Sequence, residues 1–205
     1  GSGTLGLVTI AALREYTKPR IMLATARYPD QKHFAVNLGA DLVVDPEEIR
    51  RAVRRTTKTR ALSKTSRDTE GKVDRLTGGA DVVIDCVGSS SSLTDALSIT
   101  RPGGRIVLVG MPSIVEVELT PLWHREIELV GAYTYGTEIL SSGDTIRTFD
   151  LAFDLVNKAK LDKLLTTTYP LSRYREALEH AASAGRRGAI KVAFDLRNER
   201  ERNLL

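Results

Sequence analysis

Cysteine occurs once in the 205 residues, at Cys86. An internal disulfide is therefore excluded, and the thiol content suits a reducing compartment, with the cytoplasm as the expected location. Histidine occurs three times, at the scattered positions His33, His124 and His180. One thiol and three separated imidazoles do not make a thiolate-rich ligand set, so no metal ligands are assigned. No apolar run approaches the roughly 20 residues of a membrane helix. The N-terminus lacks the charged and apolar stretches of a signal peptide. Neither sign of charge dominates: 30 basic and 26 acidic residues leave a net +4. Nucleic-acid binders concentrate their charge. Here only Arg50, Arg51, Arg54, Arg55, Lys58 and Arg60 form a run, and no recognition motif accompanies it. It reads as a solvated face, and no nucleic-acid partner is expected.

What is present is ordinary for a globular chain, with 41% hydrophobic and 27% charged residues. The length suits one domain, or one domain and a piece of another. Residues 5–16 are apolar nearly all round and read as a buried helix. Residues 20–25 read as a short buried strand. Residues 29–38 read as a helix closed by Gly39. A strand over 41–44 and a helix over 47–55 follow. Residues 56–79 are polar and read mainly as loop. The runs at 81–87 and 105–109 are continuously apolar, the pattern of parallel strands buried on both faces. A short helix at 93–99 and a turn at Pro102-Gly103-Gly104 lie between them. Residues 128–133 form a further strand. Ile146, Phe149, Phe153 and Val156 fall at helical spacing, as do Tyr174, Ala177, Leu178, Ala181 and Ala182 with Ser172 as cap. Residues 191–194 make a last strand. Strands alternating with helices predict an α/β fold with a mostly parallel, doubly wound, Rossmann-like sheet.

The first six residues, Gly1-Ser2-Gly3-Thr4-Leu5-Gly6, form a G-x-G-x-x-G. Alone this is a weak signal, and a linker or a structural turn has the same letters. Here an apolar helix and then a strand follow within the span of one βαβ unit. In that context Gly1 permits a tight turn, Gly3 lets a pyrophosphate approach the backbone, and Gly6 lets helix and strand pack closely. The helix start, with Thr4 and Leu5 in its first turn, offers N–H groups to the phosphates.

The residue after the second strand selects the cofactor. NAD binders place an acid there on the ribose 2′-hydroxyl. Here the positions hold Ala26, Arg27 and Tyr28, with no carboxylate before Asp30. Arg27 is able to pair with a 2′-phosphate and to stack on adenine, which favours NADP(H) over NAD(H). An exposed arginine beside a neutral ribose pocket is the plainer alternative.

Together these blocks resemble the zinc-type medium-chain alcohol dehydrogenases. The likeness runs through GSGTLGLVTIAAL, NLGADLVVDP, GADVVIDCVG, RPGGRIVLVGMP, WHREIELVGAYTYG, YPLSRYREALEHA and RRGAIKVAFDL, nearly the whole chain outside 56–79. The resemblance implies that residues 1–159 are a dinucleotide-binding domain lacking its first strand. Residues 160–205 would then be a segment returning toward a catalytic domain. It further implies that Cys86 and Val87 line the adenosine side. Backbone groups of Val109, Met111 and Thr134, with Gly110 between the first two, would hold the nicotinamide carboxamide, and Lys191 would lie near the pyrophosphate. Zinc would belong to the absent catalytic domain. No catalytic residue is assigned in this chain, which is expected to be a fragment inactive on its own. The intact enzyme would act on a small alcohol or carbonyl compound, and a homo-oligomer is an analogy only.

Plainer roles stand beside these. Cys86 suits packing better than nucleophilic chemistry. Trp123 and His124 suit packing or an oligomer edge. A non-catalytic nucleotide-binding module is the main alternative function. A methyltransferase would want an acid after the second strand, and a nucleic-acid binder would need more than residues 50–67.

Overall fold

In a computed structural model, residues 1–62, 75–133 and 135–197 are described. In chain order the elements are α1 (Thr4–Ala12), β1 (Leu23–Thr25), α2 (Pro29–Asn37), β2 (Leu42–Val44), α3 (Ile49–Thr57), β3 (Ala61–Leu62), β4 (Arg75–Leu76) and β5 (Ala80–Asp85). Then come α4 (Ser90–Ile99), β6 (Thr100–Leu108), α5 (Thr120–His124), β7 (Glu128–Gly131), β8 (Thr137–Ile139), β9 (Thr145–Arg147), α6 (Thr148–Ala159), β10 (Leu165–Tyr169), α7 (Tyr174–Ala182) and β11 (Lys191–Phe194). The α/β reading holds. The chain packs as two compact units, one of Gly1 with residues 44–134, the other of residues 2–43 and 135–205. This division concerns packing, whereas the boundary at 159/160 concerns role.

In the second unit α1 is buried through Gly6, Leu7, Ile10 and Ala11. It runs on into a wider helical turn, Leu13–Thr17, that stops at Lys18 in the left-handed conformation. The core joins Leu7 and Ile10 to Met22, Ala24, Ala35, Leu155, Leu161, Leu164 and Ile190. Short residues at Ala24 and Ala35 let strand and helix approach closely. β1 pairs with β2, at whose end the division between units falls. β10 and β11 pair in parallel. Pro29 opens α2 with its ring-fixed φ, and Gly39, at φ +109°, closes it as expected.

In the first unit β5, β6 and β7 form a parallel sheet. α4 seats Leu93, Ala96 and Leu97 on Ile106 and Ile127. Such a face, at roughly 25 cal/mol per Å² of apolar area, is what makes the unit compact. Among the described residues β1 pairs only with β2, and β5 only with β6.

Several local expectations are corrected. β6 begins at Thr100 and runs through Pro102-Gly103-Gly104, where a turn was expected. Ala80 faces Thr100 but Val82 faces Arg105, so the three turn residues bulge out of a strand that resumes its register. Ile146 lies in β9, not in α6, because β8 and β9 make an antiparallel hairpin ahead of that helix. Arg173, not Ser172, occupies the cap position of α7. In the stretch read as loop, α3 extends to Thr57 and β3 pairs antiparallel with β4; residues 63–74 lie outside the described residues.

Candidate functional site

In the second unit, Ser2 and Gly3 lead directly into α1. Gly3 occupies the cap position with φ −73° and no capping side chain, so the first-turn amides are left without a side-chain acceptor. A Cβ on Gly3 would meet nothing within 4 Å. The protein's own packing therefore does not require glycine there. Gly6 is buried on α1, while Leu5 is 44% exposed. Two polar residues fix the loop. Ser2 is buried and its hydroxyl donates to the Thr25 carbonyl at 2.9 Å, tying the loop to the end of β1. Thr4 Oγ1 donates to the Ile190 carbonyl at 2.7 Å. Sequence reasoning passed over Ser2 because a lone serine inside a glycine motif carries no periodic signal.

After β1, Ala26 is buried, Arg27 is exposed and Tyr28 is half-buried at the cap position of α2. Asp30 falls in the first turn of α2. The nearest carboxylate thus belongs to the next helix and not to the strand end. Lys191 is the exposed first residue of β11, paired with Leu165.

In the first unit, the ends of β5 and β6 are bound together by one residue. The Val109 and Gly110 amides donate to the Asp85 carbonyl at 2.9 and 2.8 Å. The buried Asp85 carboxylate accepts from the Val87 and Gly88 amides at 2.9 and 3.2 Å and from Ser92 Oγ at 2.9 Å. Gly88 sits at φ +76°, a conformation that suits glycine. A Cβ on Gly110 would stand 2.5 Å from the Val87 carbonyl carbon, so the two strand ends touch backbone to backbone. The Gly1 amino group belongs to this unit as well; a Cβ there would lie 2.5 Å from Val87 Cγ2. Cys86 is half-buried, Val87 49% exposed and Met111 90% exposed. Thr134 lies outside the described residues.

Trp123 is 80% exposed, which removes packing within this chain as its role. His180 is buried, with Nδ1 2.9 Å from the Tyr169 hydroxyl. Among the described residues no group of three His, Cys, Asp or Glu side chains is arranged to hold a metal ion. No helix there is long and apolar enough to cross a membrane.

A family model described as zinc-binding dehydrogenase matches residues 4–150. Among curated relatives, L-idonate 5-dehydrogenase of Vitis vinifera is 31% identical over 96% of this chain and 48% of its own length. A sorbitol dehydrogenase of Arabidopsis thaliana is 31% identical with the same coverage of each, 96% and 48%. The chain spans about half the length of the curated relatives it matches. Among solved structures, L-idonate 5-dehydrogenase from Escherichia coli K-12 has a TM-score of 0.64 at 25% identity, over 94% of this chain and 47% of that one. Two further structures share the fold and differ in cofactor. A zinc-binding dehydrogenase from Sinorhizobium meliloti 1021 is bound to NADP, with TM-score 0.63 and 21% identity over 95% and 51% of the two chains. An alcohol dehydrogenase from Escherichia coli CFT073 is complexed with NADH, with TM-score 0.61 and 19% identity over 89% and 47%.

Proposed function

This chain belongs to the zinc-binding dehydrogenase family, and we propose that it is the cofactor-binding part of an NAD(P)-dependent dehydrogenase moving hydride between nicotinamide and an alcohol or carbonyl. The observation that carries this reading is Gly3. Its conformation is open to any residue and a Cβ there would meet nothing within 4 Å, so the uncapped helix start is open to close approach by a ligand. A dinucleotide pyrophosphate fits that position. Gly1, Gly3, Thr4, Leu5 and Gly6 would receive the pyrophosphate. Cys86 and Val87 would flank the adenosine, while Val109, Gly110, Met111 and Thr134 would serve the carboxamide. Lys191 would lie beside the phosphates.

The bound nicotinamide supplies the redox chemistry, and the chain supplies position and orientation. The described residues do not fit zinc. In this reading polarisation of a substrate oxygen falls to groups other than the described residues, and the chain on its own would bind cofactor without turnover. Relatives named for L-idonate and sorbitol favour a small polyhydroxy substrate.

NADP(H) is the preferred form in this reading. Ala26 and Arg27 follow β1, and Asp30, the next acid, is already helical. A carboxylate at the strand end would repel a 2′-phosphate, whereas Arg27 is suited to pair with one. Titration of the chain with NADPH and NADH by fluorescence tests both levels. Tighter binding of NADPH is expected. Equal or NADH-favouring affinities remove the preference, and binding of neither removes the function.

A further inference from the structure

The second unit brings a distant segment onto the rim of the candidate site. Between α7 and β11 the chain makes a tight turn, Ala184–Arg187, ending at Gly188 with φ +72°. Gly185 lies against the Tyr28 ring so closely that a Cβ there would sit well inside van der Waals distance of Tyr28 Cε2 and Cδ2. A Cβ on Gly188 would stand 3.0 Å from Asp30 Oδ2. Two residues later in the chain's course toward β11, the Ile190 carbonyl receives the Thr4 hydroxyl at 2.7 Å. The six residues Gly185–Ile190 therefore touch the residue after Arg27 at one end and the start of α1 at the other.

The two arginines of that turn, Arg186 and Arg187, are both exposed. Nothing in the local fold needs two cations here, since the turn is closed by backbone bonds. The Arg187 amide donates to the Ser183 carbonyl at 3.2 Å, and the Ala189 amide to the Ala184 carbonyl at 2.9 Å. The acids facing the segment are Asp30, beside Gly188, and Glu176, whose carboxyl is held below its usual range mainly by Arg173 and to a smaller degree by Arg187. Arg187 thus has a partial counter-charge, and Arg186 is the cation with the clearer claim on an external anion.

We propose that the Gly185–Lys191 segment is the second wall of the adenosine-ribose pocket, with Arg186, assisted by Arg187, contacting the 2′-phosphate opposite Arg27. This rests on the dinucleotide reading above and deepens it. Gly185 is the clasp: lacking a side chain, it lets the turn close on Tyr28 and so carries the arginine pair to the strand end. A guanidinium forms charge-assisted, two-pronged bonds to a phosphate and gains nothing comparable from a ribose hydroxyl. The segment is therefore a specificity element and not a general binding contact.

The experiment measures NADPH and NADH affinities for the full 205-residue chain and for Arg186→Ala, Arg187→Ala and Arg186→Glu, with Arg186→Lys as a charge-keeping control. Exposed arginines are removed without loss of fold, which circular dichroism verifies. The expected result is that Arg186→Ala weakens NADPH about tenfold and leaves NADH within about twofold. Arg186→Glu should weaken NADPH further, and Arg186→Lys should restore part of the loss. A chain that prefers NADPH equally well with and without Arg186 overturns the inference and leaves the dinucleotide reading intact. Parallel loss of both cofactors overturns it too, by assigning the segment to shared phosphates or to structure. A parent chain that binds neither cofactor overturns both.

Discussion

Ser92 Oγ donates to the Asp85 carboxylate at 2.9 Å while receiving the Ser89 amide at 2.9 Å, so one hydroxyl joins the end of β5 to the first turn of α4. The same carboxylate holds the Val87 and Gly88 amides. Asp85→Ala leaves these three donors without their acceptor in a buried place. A loss of about 1–3 kcal/mol in unfolding free energy is expected. Asp85→Asn keeps one acceptor oxygen and should cost less. Denaturant unfolding of the two variants checks the order, and equal stability of Asp85→Ala and the parent would remove Asp85 as the organiser of this corner.

Gly3→Ala separates packing from binding. Alanine caps a helix less well than glycine, but it also restricts the unfolded chain, and these effects oppose each other at roughly 0.5–1 kcal/mol. The unfolding midpoint should therefore change little, because the new methyl enters open space. Cofactor affinity should fall by about tenfold or more, since the methyl would occupy the place of a phosphate oxygen. Unchanged affinity, read by the same fluorescence titration, would contradict pyrophosphate contact at Gly3.

Arg125 is buried, and its guanidinium donates to the Ser98 carbonyl at 3.0 Å, the Leu76 carbonyl at 3.1 Å and the Gly78 carbonyl at 2.6 Å. It thereby closes the end of α4 and anchors β4. Arg125→Ala should destabilise the chain by about 2–4 kcal/mol. Arg125→Lys should recover only part of that, because a single ammonium lacks the planar fork that spans three carbonyls. Thermal melts of both variants decide the point.

Acid should loosen the second unit through Asp41. Its carboxylate accepts from the Met22 amide at 2.7 Å and pairs with Arg14 at 2.8 Å, and these two contacts hold it below its ordinary pKa. A depressed folded value means that the stabilisation is complete above the unfolded carboxyl's pKa, near 4. It disappears as pH falls through the lower, folded value. Asp41→Asn should flatten that acid limb of the stability profile. An identical profile in parent and variant would show that Asp41 does not contribute to it.

The apolar runs over residues 81–87 and 105–109, and the glycines framing residues 1–6, were legible because burial on both faces and a helix start each leave a local pattern. The bulge at Pro102-Gly103-Gly104 was not. Its letters spell a turn, and only the pairing of Thr100 with Ala80 keeps it within β6. Ile146 misled in the same way, since one apolar residue at helical spacing also fits the last strand of a hairpin. Tyr28 was legible as a neighbour of the cofactor-selecting position, but its contact with Gly185 was not, because no local pattern links residues so far apart in sequence.

What the sequence determined alone is the alternation of strands and helices, and the placing of a glycine-framed helix start before a strand that ends without an acid. Those features are local, set by periodicity and by the conformations each residue permits. The tertiary structure decided which distant groups meet: Ser2 with Thr25, Thr4 with Ile190, and Gly185 with Tyr28. Those meetings depend on how the core around Leu7, Ile10 and Ile190 closes, and close packing specifies its partners only once the whole set is assembled.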